Sequence, residues 1–188
     1  MDTARRILDA AAAVFHERGF HGAGMDELGS RAGLSGPAIY RHFSGKDEIL
    51  ATLFDEAIDE LLSATATVHE DPVQDLIRVV RHHVQFAVTR RQLVSVYQHE
   101  ERSLVDPWKR RFVRRRQQYV TRWEAILARC VTSPDPTRVA VCTQSYLGLI
   151  FSISLWPSKL AGTDNLADIV TGIVVGGLPG LDAGPTTR

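Results

Sequence analysis

Cysteine is nearly absent: only Cys130 and Cys142 occur among the 188 residues, with no metal-ligand spacing. That excludes a disulfide-stapled scaffold and a zinc site, and both thiols read as reduced core residues. No uninterrupted apolar run of 18 residues and no signal-peptide pattern is present, so no membrane partner and a cytoplasmic location are expected. There is no glycine-rich phosphate loop, no nucleophile elbow, no HExxH and no repeated carboxylate pair on one face. The chain is therefore not expected to be an enzyme, and no cofactor is implied. Internal repeats and low-complexity blocks are lacking too. Net charge is zero, which removes long, non-specific electrostatic attraction to nucleic acid as a driving force.

The charge is nonetheless lopsided. Residues 1–75 carry a balance of −8, residues 76–129 one of +9, and residues 130–188 one of −1. Apolar spacing is helical throughout. Ile7, Ala11, Val14 and Phe15 form a stripe that Gly19 should end, with Phe20 closing a small core. Met25, Leu28 and Ala32 form a second, broken by Gly33. Ser35 is placed to N-cap a third helix of nine residues, with Pro37 in its first turn and Ile39 and Phe43 facing inward. Pro37, Tyr40 and Arg41 then face outward. Ser44 reads as the cap of a long helix, Asp47 as its reciprocal acid, and Ile49, Leu50, Leu53, Phe54, Ile58 and Leu61 as its apolar side. Two short helices across a tight turn, the second with an exposed Tyr-Arg-His, match the helix-turn-helix geometry that enters the DNA major groove.

The stretches TARRILDAAAAVFHERGF and MDELGSRAGLSGPAIYRHFSGKDEILATLF closely resemble the DNA-binding domain of TetR-type transcriptional regulators, without gaps from Thr3 to Phe54. The resemblance implies phosphate contacts from Tyr40, His42 and Lys46, and base-edge contacts at or near Ser35, Gly36, Pro37 and Arg41. Many relatives have Ser or Thr where this chain has Gly24. Glycine can still cap the helix there, and only a backbone contact to phosphate remains. Because the module is not basic, recognition must rest on these few donors, with Arg31 a further candidate, and on doubling in a dimer.

After Pro107, the segment WKRRFVRRRQQYVTRWEAIL places Trp108, Phe112, Tyr119, Trp123 and Ile126 on one helical face. Arg116 falls within that stripe, where a guanidinium needs an anionic partner. Phe112, Arg116, Tyr119 and Trp123 are thus candidates to bind an apolar ligand with an acidic end. A solvated arginine face over an aromatic core is the plainer alternative, and DNA binding by the cluster is a third. His82 and His83, with His99 and Glu100, invite a metal, but adjacent helical histidines diverge by about 100°. With an apolar face at Val73, Ile77, Val80, Val84 and Ala87, His82 falls on the far side. A structural role is preferred, and no metal is expected.

Residues 138–156 are apolar on nearly every side, and a second stripe follows at Leu166, Ile169, Val170, Ile173 and Val174. Gly172 and Gly176, four apart, would let another helix approach closely. A helix apolar all round needs cover on both flanks. Tyr146, Ile150, Ile153, Ile169, Gly172, Ile173 and Gly176 are the candidate dimer interface, and TetR-type proteins resemble this in dimerising through their last two long helices.

The chain is therefore expected to be all-α. An N-terminal three-helix helix-turn-helix domain (residues 1–47) is joined by a long helix to a helical ligand-binding and dimerisation domain (48–178), with a loose tail at 179–188. The expected partners are a palindromic double-stranded DNA operator, a second copy of the chain and a small-molecule effector. The turn LSGPAIYRHF and the segment RRRQQYVTRWEAIL are similar to actinobacterial TetR-type repressors of lipid and sterol catabolism, which implies an acyl-CoA effector. A multidrug or aromatic-compound sensor of the same family, and a non-DNA-binding interaction module, are the alternatives.

Overall fold

The structure is a computed structural model that describes residues 2–66 and 69–182. Among the described residues the elements are helical, without strands: α1 Thr3–Gly22, α2 Met25–Arg31, α3 Gly36–Ile39, α4 Lys46–Ala64, α5 Pro72–Thr89, α6 Arg91–Glu100, α7 Trp108–Arg129, α8 Pro136–Ser152, α9 Ser158–Ala161, α10 Leu166–Gly176 and α11 Pro179–Asp182. The chain forms two compact units, residues 1–58 with 92–115 and residues 59–91 with 116–188.

In the first unit, Ile7, Ala11, Val14 and Phe15 of α1 are buried as their spacing predicts. Gly19 breaks that helix in the left-handed region (φ 72°), and one further turn follows it. Gly33 breaks α2 in the same way (φ 68°), while Arg6 donates to the Ala32 carbonyl at that helix end. Both glycines supply a conformation that a Cβ would penalise. Ile39 and Phe43 are buried, but the third helix is shorter than expected. Regular helix ends at Ile39, and Arg41 and His42 close tighter turns by donating to the carbonyls three residues back, Ala38 and Ile39. These i−3 bonds wind the chain more tightly than an α-helix and deliver it to Ser44.

The expected cap of α4 is shifted by one residue. The helix begins at Lys46, and it is Glu48, not Asp47, that accepts from both the Ser44 N–H and the Ser44 hydroxyl, each at 2.7 Å. Those donors hold the Glu48 carboxyl below its usual range. From α4, Ile49, Leu50, Leu53 and Phe54 are buried, and Phe54 packs its ring on Tyr97 and Phe112 at 5.8 and 5.4 Å. Asp55 pairs with Arg115 at 2.9 Å and with Arg111 at 3.3 Å.

In the second unit α5 packs against α10 and α8. Asp71 caps α5 by accepting from Val73 N–H, and Asp135 caps α8 by accepting from Arg138 N–H, each with a proline next in line that needs no donor. Val80, Val84 and Ala87 are buried as expected, and the inward face of α5 extends further round on the side of His83. Leu76, Val79, Val80, His83, Val84 and Ala87 are buried, while Val73 and Ile77 are half-buried. Asp75 is fully buried as well. It accepts from the His69 N–H (3.0 and 3.1 Å), Arg129 (2.8 Å) and, more distantly, Arg78 (3.4 Å). Arg122 donates to the Leu62 carbonyl at 2.9 Å, which also accepts from the Thr65 N–H and hydroxyl in the last turn of α4.

Two further expectations are corrected. Cys130 and Cys142 are half-buried rather than core residues; the Cys130 thiol leans on the Pro72 and Ile126 carbonyls, and burial pushes it up to about 11. Pro179–Asp182, expected to open the loose tail, form a last helical turn that buries Leu181, and Asp182 accepts from Thr132 N–H at 2.9 Å. Residues 183–188 of that expected tail lie outside the described residues.

Candidate nucleic-acid interface and effector domain

The helix-turn-helix presents its outward face on a turn anchored from below. Ile39 is fully buried and Phe43 nearly so, while Tyr40 between them is 54% exposed and Arg41, His42 and Pro37 are also exposed. Ser35 is the N-cap residue of α3, yet its hydroxyl makes no capping bond. Gly36 opens that helix. Gly24 is the N-cap of α2, exposed, with open space where a side chain would stand. Tyr40, Arg41 and His42 therefore share one short exposed segment.

Lys46 has a different position. Its ammonium lies 4.7 Å over the Phe20 ring and donates to the Phe20 and Ala23 carbonyls at 3.0 and 3.2 Å. These carbonyls close the broken end of α1, where a helix presents orphan acceptors and the negative end of its dipole. Glu100, the last residue of α6, grips the other side of the same break: Phe20 N–H donates to its Oε1 at 3.0 Å, and the Ser103 hydroxyl to its Oε2 at 2.8 Å. Arg31 pairs with Glu17. The first unit also has a cleft of about 250 Å³ lined by residues that include Glu101, Arg102, Leu104, Lys109 and Phe112.

The four residues expected to line one ligand site all lie on α7, Phe112 in the first unit and Arg116, Tyr119 and Trp123 in the second. Phe112 packs within the first unit, on Phe54 and Tyr97 (5.9 Å). Arg116 is half-buried on the part of α7 that belongs to the second unit, and Tyr119 and Trp123 are buried there, their rings 6.4 Å apart. What gathers Tyr119 and Trp123 is His83, which the spacing grouped with His82 and to which it gave only a structural role. Its imidazole is enclosed by Phe151 (4.7 Å), Tyr119 (5.8 Å), Trp123 (5.9 Å) and Phe86 (6.5 Å). The Tyr119 hydroxyl lies 2.7 Å from Nδ1, and Nε2 is buried without a hydrogen-bond partner. Burial, aided by the charge of His82, pushes His83 down to about 3, so the ring is neutral at neutral pH. His83 lies at i+3 from Val80 and i+4 from Val79, so a stripe drawn one residue over would have included it. Among the described residues no group of three or more His, Cys, Asp or Glu side chains could hold a metal ion.

The candidate interface residues also divide. Ile150 and Ile153 are fully buried inside the second unit, because Val139, Thr143, Leu147 and Ile150 form the inward stripe of α8; they offer nothing to a partner. Tyr146 is half-buried, its hydroxyl close over Gly177. Ile169 (48% exposed), Ile173 (55%) and, from α8, Val141 (60%) point outward. Gly172 and Gly176 share the exposed face of α10 with open space above them.

A helix-turn-helix with an exposed reading segment, on a chain whose remainder is helical, defines a DNA-binding regulator rather than an enzyme. The family model for bacterial regulatory proteins of the tetR family matches residues 7–53, and that for the tetracyclin repressor-like C-terminal domain matches residues 69–178. The chain belongs to the TetR family. It is 47% identical over 58 residues to the HTH-type transcriptional activator FasR of Mycolicibacterium smegmatis, covering 31% of this chain and 26% of that protein. It is 33% identical over 57 residues to the fatty acid metabolism regulator protein of Bacillus subtilis, covering 30% of this chain and 29% of that protein. The chain thus matches only about a quarter of the length of these curated relatives. The crystal structure of AibR in complex with isovaleryl coenzyme A and operator DNA superposes with a TM-score of 0.76 at 24% identity, over 92% of this chain and 97% of that one, which establishes the shared fold.

Proposed function

We propose that the chain is a cytoplasmic, homodimeric repressor that binds a palindromic operator through the helix-turn-helix and is released by an acyl-CoA thioester. The observation that carries the reading is the exposed Tyr40-Arg41-His42 segment on a turn anchored by buried Ile39 and Phe43. Tyr40 and His42 bind phosphates, and Ser35, Gly36, Pro37 and Arg41 meet base edges, with the backbone at Gly24 near a phosphate. Lys46 acts first on the end of α1 and so sets the pose of the module. Half-sites one DNA turn apart, about 34–36 Å, require two copies. The exposed apolar face of Val141, Ile169 and Ile173 beside the Gly172/Gly176 ridge supplies the means of pairing.

The effector assignment draws on the fatty-acid regulator among the relatives and on the coenzyme A thioester bound by AibR. Its acyl end enters the second unit near Tyr119 and Trp123, with Arg116 one turn away. FasR is named an activator, but the match to it spans 58 residues at the DNA-binding end and bears on DNA contact rather than on the sign of regulation.

The test is a mobility-shift titration on DNA from the protein's own upstream region, with long-chain and sterol-derived acyl-CoAs and the matching free acids. The expected result is a shift that a thioester releases and its free acid does not, and that Tyr40→Ala abolishes while circular dichroism is unchanged. A shift that no thioester releases would remove the effector, and no shift on any local palindrome would remove the operator.

A further inference from the structure

The buried side-chain atoms of the second unit without a hydrogen-bond partner include His83 Nε2 on α5, Trp123 Nε1 on α7, Thr143 Oγ1 on α8 and Thr171 Oγ1 on α10. Folded proteins rarely leave such groups unmatched, since each has lost its water and gained nothing in exchange. Both threonines lie within helices, where a hydroxyl can turn back to the carbonyl one turn before it, yet neither does. His83 is the most enclosed of them. Tyr119 Oη lies 2.7 Å from Nδ1; in the tautomer in which the phenol donates, the imidazole proton sits on Nε2, an N–H in an aromatic interior with no acceptor.

We infer that His83 selects the effector: the interior of the second unit takes an uncharged apolar molecule, or the uncharged end of one, carrying an acceptor oxygen for His83 Nε2. The inference rests on the reading that the second unit houses an effector, and it names the chemistry that end must have. The four rings around His83 supply the apolar contact. A neutral imidazole gives an anion no charge and a cation no counter-charge, whereas a ketone, ester or thioester carbonyl completes the missing bond without bringing in a charge. The buried carboxylate nearby in sequence, Asp75, is already engaged by His69 N–H, Arg129 and Arg78. The threonine hydroxyls, able to donate or accept, are further unmatched groups of the same unit. A closed interior must open to admit the ligand, so binding should be slow to saturate and should stabilise the fold.

The test uses the full chain without DNA, so it does not depend on whether the operator is correct. Tryptophan fluorescence and thermal shift are followed at pH 7 on titration with methyl undecyl ketone, laurate and laurylamine, which share a long alkyl chain and differ in the polar end. The ketone is expected to bind about tenfold more tightly than either charged analogue, as an uncompensated buried charge demands. His83→Phe should lower ketone affinity about fivefold to tenfold, the worth of one net hydrogen bond, and His83→Gln, which keeps an N–H, should restore most of it. If His83→Phe does not fold, the ranking in the wild-type protein and the His83→Gln variant still decide. Laurate binding as tightly as the ketone would overturn the inference and put Arg116 in the place of His83. Equal ketone binding by His83→Phe, or binding of none of the three, would overturn it as well. Ketone binding that holds while no effector releases DNA would count against the repressor alone.

Discussion

Removing the Asp75 carboxylate should destabilise the second unit, and the size of the loss distinguishes two opposed effects. Burial works to raise its pKa, while the His69 N–H, then Arg129 and Arg78, work to lower it; the balance falls below the ordinary carboxylate range. The group is therefore ionised in the folded chain. Its two close donors, His69 N–H at 3.0 Å and Arg129 at 2.8 Å, make hydrogen bonds to a charged group worth about 1.5–3 kcal/mol each. Arg129 is about one-third exposed and regains water when its partner leaves, so the lower end applies, about 3 kcal/mol for Asp75→Ala. Asp75→Asn keeps one acceptor oxygen and should lose about half as much. For a chain of this size the alanine variant should melt about 6–12 °C lower. A group whose pKa is depressed on folding contributes stability above its unfolded value, about 3.9, and loses it as pH falls through the folded value. Urea unfolding should then give a constant difference between wild type and Asp75→Ala from neutral pH down to about pH 5, shrinking below about pH 4. Asp75→Asn as stable as wild type at pH 7 would mean that burial wins and the folded carboxyl is protonated, which would refute the reasoning.

The remaining predictions concern the interface, a turn and a thiol. Ile173→Glu places a charge on the exposed face of α10; sedimentation equilibrium should show a monomer and operator affinity should fall with it, and an intact dimer would remove this face from the interface. Gly33→Ala must hold a Cβ at φ 68° with Arg6 Nη2 only 2.8 Å away, so its urea midpoint should drop by an amount equivalent to about 1–2 kcal/mol, and an unchanged midpoint would show that the turn relaxes. In a Cys142→Ser background, Cys130 should react slowly with a disulfide reagent at pH 7 and about tenfold faster per pH unit up to about 11, since burial keeps the thiol protonated. Fast labelling at pH 7 would contradict that.

The elements were largely legible because helical periodicity and glycine punctuation are local properties. Gly19 and Gly33 both sit at positive φ where the apolar stripes of α1 and α2 break, and Ile39, Phe43 and the apolar side of α4 are buried as their spacing predicts. The exposed Tyr40-Arg41-His42 segment followed from the same logic, since whatever does not face the small core must face out. What depends on a partner distant in sequence was not legible. Nothing near Lys46 tells that its ammonium reaches the Phe20 and Ala23 carbonyls more than twenty residues away, or that Glu100 meets Phe20 across eighty. Local reading also failed by single residues. A stripe drawn too narrowly on α5 left out His83, and a one-residue shift at α4 gave the cap to Glu48 in place of Asp47. On α8 an apolar residue at almost every position left no pattern to separate the core stripe of Ile150 from the outer face of Val141.

The uneven charge is where sequence and structure together lead furthest. A +9 segment beside a −8 segment suggests a basic surface awaiting a polyanion, yet much of it is neutralised within the fold. Arg111 and Arg115 face Asp55, Arg122 covers the end of α4, and Arg129 holds Asp75. These bonds link α7 to the middle of α4 at Asp55, to its last turn at Leu62 and to α5 at Asp75. Helices α4 and α7 each contribute residues to both compact units, and a third passage between the units lies at the junction of α5 and α6. Residues 92–115 belong to the unit that carries the helix-turn-helix, and within it Glu100 holds the break in α1. Under the proposed function, a ligand held in the second unit would act on the reading module along the helices whose residues are divided between the units, α4, α6 and α7. It does so only by as much as its affinity differs between the two arrangements. An effector that met His83 equally well in both would bind and release nothing.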